Sequence, residues 1–212
     1  MRFLPLAGVL LVFAIAFCWR AWLQHRRHGH SGIVLFRSAS LGQQVRDAML
    51  VVLFLLLLGQ AAATVAWPDQ IQVASGLTAG AGTTLMLGGI ALLVVAQLDL
   101  GASWRIGVDE GAKPGLVTGG LYRWTRNPIY LALLVVFTGY ALLLPRPLSL
   151  FLLGAAFIGI LRQVRAEERY LAEKYGEEFR DYARRVPRFA PGGEMLLGVV
   201  IVAIIALGWY YG

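Results

Sequence analysis

The feature that most constrains this chain is a succession of apolar blocks close to the length of a bilayer crossing. A hydrocarbon core about 30 Å thick asks for about 20 predominantly apolar residues in an α-helix. The blocks Phe3 to Trp19, Ala48 to Trp67, Leu77 to Leu98, Ile129 to Leu144, Leu148 to Leu161 and Met195 to Tyr211 approach that length one after another. A water-soluble core can bury one such block but not six, and the mean hydropathy of +0.66 agrees with a membrane setting. The expected fold is all-α: a polytopic integral membrane protein with about six hydrophobic segments. The fourth and fifth are joined only by Pro145, Arg146 and Pro147. Prolines stop one helix and can start the next, so these two segments read as a tight helical hairpin.

Lysine and arginine set the orientation, because they accumulate in cytoplasmic loops. Of the 19 such residues, 17 fall in the alternate connections holding Arg20 to Arg46, Arg105 to Arg126 and Arg162 to Arg188; the other two are Arg2 and Arg146. Both termini are expected outside, in a cell membrane such as a bacterial inner membrane, with any active site at the cytoplasmic face. The net charge of +7 is then a topology signal, and no nucleic-acid partner is needed to explain it. The run after Arg2 ends in Phe17-Cys18-Trp19-Arg20 without a small-x-small cleavage site, so it reads as a first span and not a signal peptide. Cys18 stands alone, which leaves no disulfide framework, and it reads as a packing residue.

Residues 1–100 form the expected membrane scaffold, 101–191 the functional core and 192–212 an additional segment. Gly76 and Gly80, with Gly82, Gly88 and Gly89, offer small surfaces for close helix approach in lipid. Gly80-Ala81-Gly82 lacks the lysine and strand of a phosphate loop. His25, His28 and His30 lie among arginines that repel a divalent cation, so a basic loop facing anionic headgroups is expected there, and no metal.

The polar residues concentrate in 101–126 and 162–188, which topology places on one side. In YRWTRNPIYL, Asn127 suits an N-cap and Pro128 the first helical position, so a helix is predicted to start there. Its unpaired N–H groups and dipole, beside Arg123 and Arg126, make an anion site; lipid phosphates are the alternative occupants. Downstream, Leu161, Val164, Glu168, Leu171, Tyr175, Phe179, Tyr182 and Val186 recur at helical spacing, with Gly176 a candidate break. Glu168 falls on the apolar stripe and needs a partner, since a carboxylate turned inward is costly unless met by a cation or donors. Arg165, three residues earlier, can supply one. Glu167, about 100° round the helix, is expected to line the side of the same pocket. Two carboxylates near a cationic helix start suit a ligand both cationic and anionic, such as an amino acid head group or a sulfonium.

GLVTGGLYRWTRNPIYLAL, followed by EERYLAEKYGEEFRDYARRVPRF, resembles the isoprenylcysteine carboxyl methyltransferase family and its bacterial branch; phospholipid N-methyltransferases share the Glu-Glu and Asn-Pro features more distantly. The resemblance implies a membrane methyltransferase using S-adenosylmethionine on a lipophilic or lipidated acceptor, with membrane lipids around it. It implies cofactor contacts at Pro114, Gly115, Leu116, Val117, Tyr122, Asn127, Pro128, Ile129, Tyr130 and Glu167, to which the anion-site reading adds Arg126. Glu168 completes the Glu-Glu motif as a catalytic candidate. Where eukaryotic members carry an arginine associated with the substrate carboxylate, this chain has Gln163, and Arg162 or Arg165 is expected to take the role. Eukaryotic members also have a histidine where this chain has Asn127. The cofactor supplies the reactive carbon, so the protein mainly binds, orients and excludes water. A carboxylate or thiolate acceptor arrives charged, whereas an ammonium must first lose a proton to a base. With Glu167, Glu168, Asp109 and Glu110 in the loops and no histidine, an acidic or soft nucleophile is favoured. A phospholipid N-methyltransferase, an NADPH-dependent membrane reductase and a non-enzymatic membrane scaffold are the alternatives.

Overall fold

Inside lipid every backbone N–H and C=O must be satisfied within the protein, and a helix does this segment by segment. The computed structural model describes residues 2–29, 31–33, 35–36, 40–71, 73–104 and 115–189. Among them are α1 (Leu4–His28), α2 (Leu41–Ala66), α3 (Gly76–Leu100), α4 (Pro128–Leu143), α5 (Pro147–Tyr175) and α6 (Glu177–Arg185). Within α1, Ala14–Trp19 winds as a π-helix. By length and composition α1, α2, α3 and α5 can each cross a bilayer. The fold is all-α and multi-pass, with four such spans among the described residues; six hydrophobic segments were expected. The predicted sixth segment, Met195 to Tyr211, lies outside the described residues.

The predicted fourth segment is the exception in length. Its 16 residues reach only about 24 Å. It is also the most enclosed helix: Ala132, Leu134, Ala141 and Leu143 are fully buried, and α3, α5 and α1 all pack on it. A helix sheathed by neighbours need not match the bilayer thickness by itself. The opposite holds for α2, where Val45, Val52 and Leu55 are exposed, as suits a lipid-facing helix.

The backbones of α3 and α4 touch through glycine, at Gly82 and Gly89 of the five expected positions. A Cβ added to Gly82 would lie 2.9 Å from the Gly139 carbonyl oxygen, and one on Gly89 2.9 Å from the Val136 nitrogen. Gly76, Gly80 and Gly88 face open space. The contacting stripe is Gly82, Met86 and Gly89, a heptad spacing that sets one narrow face against α4. Gly139 completes it from the other side, where an added Cβ would lie 2.6 Å from the Met86 nitrogen. Gly139→Ala must push two backbones apart, and overpacking of this kind costs about 1–3 kcal/mol. Thermal unfolding in detergent should show a lowered midpoint for Gly139→Ala and little change for Gly88→Ala; equal midpoints would contradict the close approach.

The end of α3 leaves carbonyls without intrahelical partners, and Arg20 supplies them. Its Nε donates to the Gln97 carbonyl (3.2 Å), Nη2 to the Gly101 carbonyl (2.6 Å) and Nη1 to Gln24 Oε1 (2.9 Å). Trp104 stacks 4.9 Å from its guanidinium. The residue counted as a loop cation is thus 2% exposed and caps a neighbouring helix. Cys18, expected to pack inside, is exposed on α1.

The hairpin forms as its prolines predict, α4 ending at Leu143 and α5 starting at Pro147. At that end Gln60 Nε2 of α2 donates to Ser149 Oγ of α5 (2.9 Å), tying the later part of α2 to the start of α5. After 29 residues α5 stops at Gly176, whose φ of +54° is readily adopted by glycine. The chain then folds back, and Phe179, Tyr182 and Val186 pack on Leu171, Tyr175 and Leu116. The predicted stripe is real but is split between two helices.

Candidate functional site

Consecutive residues on a helix diverge by about 100°, and this decides the fate of the two glutamates at the polar end of α5. Glu168 turns toward the start of α4. Its Oε1 accepts from Arg126 Nε (3.1 Å) and from Asn127 Nδ2 (3.1 Å). Its Oε2 accepts from Arg188 Nε (3.0 Å) and Nη2 (2.8 Å). The side chains of Glu168 and Arg126 are 12% and 13% exposed, so the charges are largely withdrawn from water. Arg126 also donates Nη1 to the Ala183 and Val186 carbonyls, and its backbone N–H to the Pro187 carbonyl. Thr125 Oγ1 and Asn127 Nδ2 both donate to the Arg188 carbonyl. One carboxylate therefore ties the segment before α4 and the segment after α6 to α5.

Glu167 points elsewhere. Its Oε1 accepts from the Tyr130 hydroxyl (2.5 Å) and from Gln163 Nε2 (2.8 Å). The Gln163 amide oxygen is buried and has no hydrogen-bond partner among the described residues. A buried acceptor left unpaired is costly, and here it stands beside a carboxylate whose two hydrogen bonds among the described residues fall on one oxygen. The pair of acceptors calls for a donor or a cation. Tyr122 closes in as well: it is buried, and its carbonyl accepts the Tyr182 hydroxyl (2.6 Å). Burial pushes the Tyr122 phenol well above its ordinary range, and the negative charge of Glu167 adds to this. Burial likewise pushes Tyr182 up to about 12, against the pull of Arg126. Both remain neutral phenols at any physiological pH.

Several expectations need correction. Asn127 occupies the position before Pro128, and its carbonyl accepts the Leu131 N–H (3.0 Å), but its side chain makes no cap. The amide is drawn instead to Glu168 and the Arg188 carbonyl, which offer a charge-assisted bond. Arg126 is committed to Glu168 and backbone carbonyls, so it does not present an open anion site. Arg165 is exposed and is not the cation on Glu168; Arg126 and Arg188 are. A cleft of about 530 Å³ is lined by Arg165, Glu168, Arg169, Ala172, Phe179 and Arg188, while Glu167 faces Tyr130 and Gln163. Arg162 is exposed, about 140° round α5 from Glu167. Among the described residues no hydrogen bond or ion pair joins it to Glu167 or Gln163.

Of the other expected contacts, Tyr130 is brought to Glu167, and Tyr122 is buried with its carbonyl bonded to Tyr182. Pro128 is buried at the first turn of α4, and Ile129 turns inward against Ala16 and Leu93. Leu116 lies against α6, Gly115 is exposed and Val117 half-buried. Pro114, like Asp109 and Glu110, lies outside the described residues. The residue overlooked in the sequence is Arg188. Its signal was the unmet charge of Glu168, together with Pro187 and the fully buried Phe189, which hold Arg188 in place.

Residues 77–178, which contain α3, α4 and both glutamates, match the model of the phospholipid methyltransferase family. The chain is also similar to Protein-S-isoprenylcysteine O-methyltransferase of Rattus norvegicus, 29% identical over 128 residues, covering 59% of this chain and 44% of the relative. The enzyme of that name from Saccharomyces cerevisiae is 38% identical over 76 residues, 34% of this chain and 30% of the relative. Protein-S-isoprenylcysteine O-methyltransferase B of Arabidopsis thaliana is 30% identical over 119 residues, 52% and 57% respectively. The chain is similar to these methyltransferases over the matched segments. It spans about half the length, or less, of the curated relatives it matches, and α1 and α2 lie before the segment matched by the phospholipid methyltransferase model.

Proposed function

We propose that this chain is an integral membrane methyltransferase that uses S-adenosylmethionine and acts on a lipophilic acceptor. The observation that carries the reading is the Glu167 carboxylate, held by Tyr130 and Gln163 beside the orphaned Gln163 oxygen, within the segment that matches known methyltransferases. These acceptors fit a ligand bearing an ammonium and a sulfonium. S-adenosylmethionine would bring an electrophilic methyl group on its sulfonium. Glu167, Gln163 and Tyr130 would hold its cationic end, with Tyr122, Leu116, Val117 and the Asn127–Tyr130 turn beside it. Glu168 acts as a positioning residue: with Arg126 and Arg188 it fixes that turn against α5. A carboxylate or thiolate acceptor needs no base, and the protein's task is orientation and exclusion of water.

The family-model match favours a second reading, a phospholipid amine as acceptor. That acceptor must lose a proton, and the Tyr130–Glu167 pair is the candidate to receive it. In either reading the positive-inside bias puts the polar end of α5 at the cytoplasmic face and the N-terminus outside.

Calorimetric titration of the detergent-purified protein with S-adenosylhomocysteine should show saturable binding, and the same ligand should raise the thermal midpoint. Stabilisation by NADPH and not by S-adenosylhomocysteine would make the protein a reductase. Binding of neither would return it to the scaffold class.

A further inference from the structure

The face of α5 turned away from Glu167 carries arginine without matching acid. Measured round the helix from Arg165, Arg169 lies about 40° away, whereas Gln163 and Glu167 each lie about 160° away, on the far side. The cleft of about 530 Å³ opens on the Arg165 side, where Arg165, Arg169 and Arg188 surround one carboxylate, Glu168. That carboxylate already accepts from Arg126 and Arg188. Among the described residues no carboxylate forms an ion pair with Arg165 or Arg169; Arg169 donates Nε to the Arg165 carbonyl (3.3 Å). Phe179, 5% exposed, and Ala172 give the cleft an apolar side. Like charges gathered in one place repel, and an occupant carrying negative charge relieves the repulsion.

The depth of the cleft suits the membrane surface. Arg165 and Arg169 follow Pro147 by 18 and 22 residues, about 27 and 33 Å at the helical rise, against a hydrocarbon core about 30 Å thick. Their guanidinium groups therefore stand at headgroup level. Toward the bilayer the same face continues through Ile158 and Phe151, in two steps of seven residues that each turn it by only about 20°. Both side chains are exposed, 52% and 66%. Gly154 lies on this face between them, with open space where a side chain would stand. A cationic cleft thus caps an apolar strip that faces lipid.

We infer that the cleft binds the headgroup of an anionic phospholipid, such as phosphatidylglycerol, from the leaflet at the polar end of α5. The phosphodiester meets Arg165 and Arg169, with Arg188 beside them, and an acyl chain runs along Ile158, Gly154 and Phe151. A zwitterionic headgroup fits less well: its ammonium asks for a carboxylate, and Glu168 is held by two arginines. This site is separate from the proposed methyl-donor site on the opposite face of α5, and the lipid is a ligand here, not a methyl acceptor. It does reach the clamp before α4, because Glu168 and Arg188 belong to both. An occupied cleft should therefore raise the unfolding midpoint.

The test compares lipids of equal chain length on the full chain in detergent, by native mass spectrometry of retained lipid and by the thermal midpoint. Phosphatidylglycerol, phosphatidylcholine and inorganic phosphate are added separately to the wild type, to Arg165→Gln/Arg169→Gln and to Arg26→Gln/Arg27→Gln. The last variant removes the same charge from exposed positions at the end of α1. The wild type should retain one phosphatidylglycerol about tenfold more tightly than phosphatidylcholine. Arg165→Gln/Arg169→Gln should lose that preference, and Arg26→Gln/Arg27→Gln should keep it. Arg165 and Arg169 are exposed, so the midpoint without added lipid should not move, which shows that the variant is folded. Arg165→Lys/Arg169→Lys keeps both charges and should retain most of the preference; a loss there as complete as with glutamine overturns recognition by charge. A preference that persists in Arg165→Gln/Arg169→Gln, or that falls equally in the Arg26→Gln/Arg27→Gln variant, overturns the site. So does a midpoint rise with inorganic phosphate that requires Arg165 and Arg169 while phosphatidylglycerol gives none, which would make the cleft a site for a soluble anion.

Discussion

Replacing Glu168 by alanine should destabilise the folded protein by about 3 kcal/mol, the scale for removing one partner of a largely buried ion pair. The cost arises from what is left behind. Arg126 and Arg188 both point at this carboxylate, and without it two guanidiniums face each other in a space largely closed to water. Arg126 keeps its carbonyl acceptors, so the turn before α4 should loosen and not unfold entirely. Glu168→Gln keeps an acceptor oxygen but loses the charge, and should fall between the wild type and Glu168→Ala. Thermal unfolding in detergent checks both variants. A midpoint for Glu168→Ala within a degree of the wild type would show that the cluster holds nothing together.

Glu167→Ala should have the opposite profile, a small change in stability and a large loss of ligand. The carboxylate is bonded by two neutral groups, Tyr130 and Gln163, and by no described cation in direct contact. Its removal therefore strands no charge. If Glu167 meets the cationic end of S-adenosylmethionine, a charge-assisted hydrogen bond worth about 1.5–3 kcal/mol disappears, and affinity for S-adenosylhomocysteine should fall roughly ten- to hundredfold. Calorimetry is the measurement. Unchanged affinity in Glu167→Ala would sink the cofactor assignment, even with the homology intact. Comparing the two variants is informative because the residues are adjacent in sequence: a generic disturbance of the end of α5 would affect both properties in both proteins.

Much of the scaffold was legible because its causes are local. The apolar blocks, the Pro145–Pro147 hairpin and the break at Gly176 follow from side-chain hydropathy and backbone preferences acting over a few residues. So does the start of α4 at Pro128. The need of Glu168 for a partner was legible too, from its place on an apolar stripe. Its partners were not. Arg165 was the nearest cation in sequence, yet Arg126 lies 42 positions away and Arg188 follows 20 later, beyond a second helix. Asn127 shows the same limit: its type and place suited a cap, but a buried carboxylate nearby was the stronger acceptor. Which two of the five glycines make the contact, Gly82 and Gly89, could not be told without knowing which face of α3 meets Gly139.

The sequence by itself determined that this is a multi-pass helical membrane protein with its polar chemistry gathered at one end, and its motifs pointed to a methyltransferase family. Only the tertiary structure decided that adjacent glutamates serve two networks and that Arg20 is a helix cap. Hydropathy and dihedral preference are properties of neighbours along the chain. Ion pairs and backbone contacts between helices depend on relative depth and rotation, which are set when all the helices pack together.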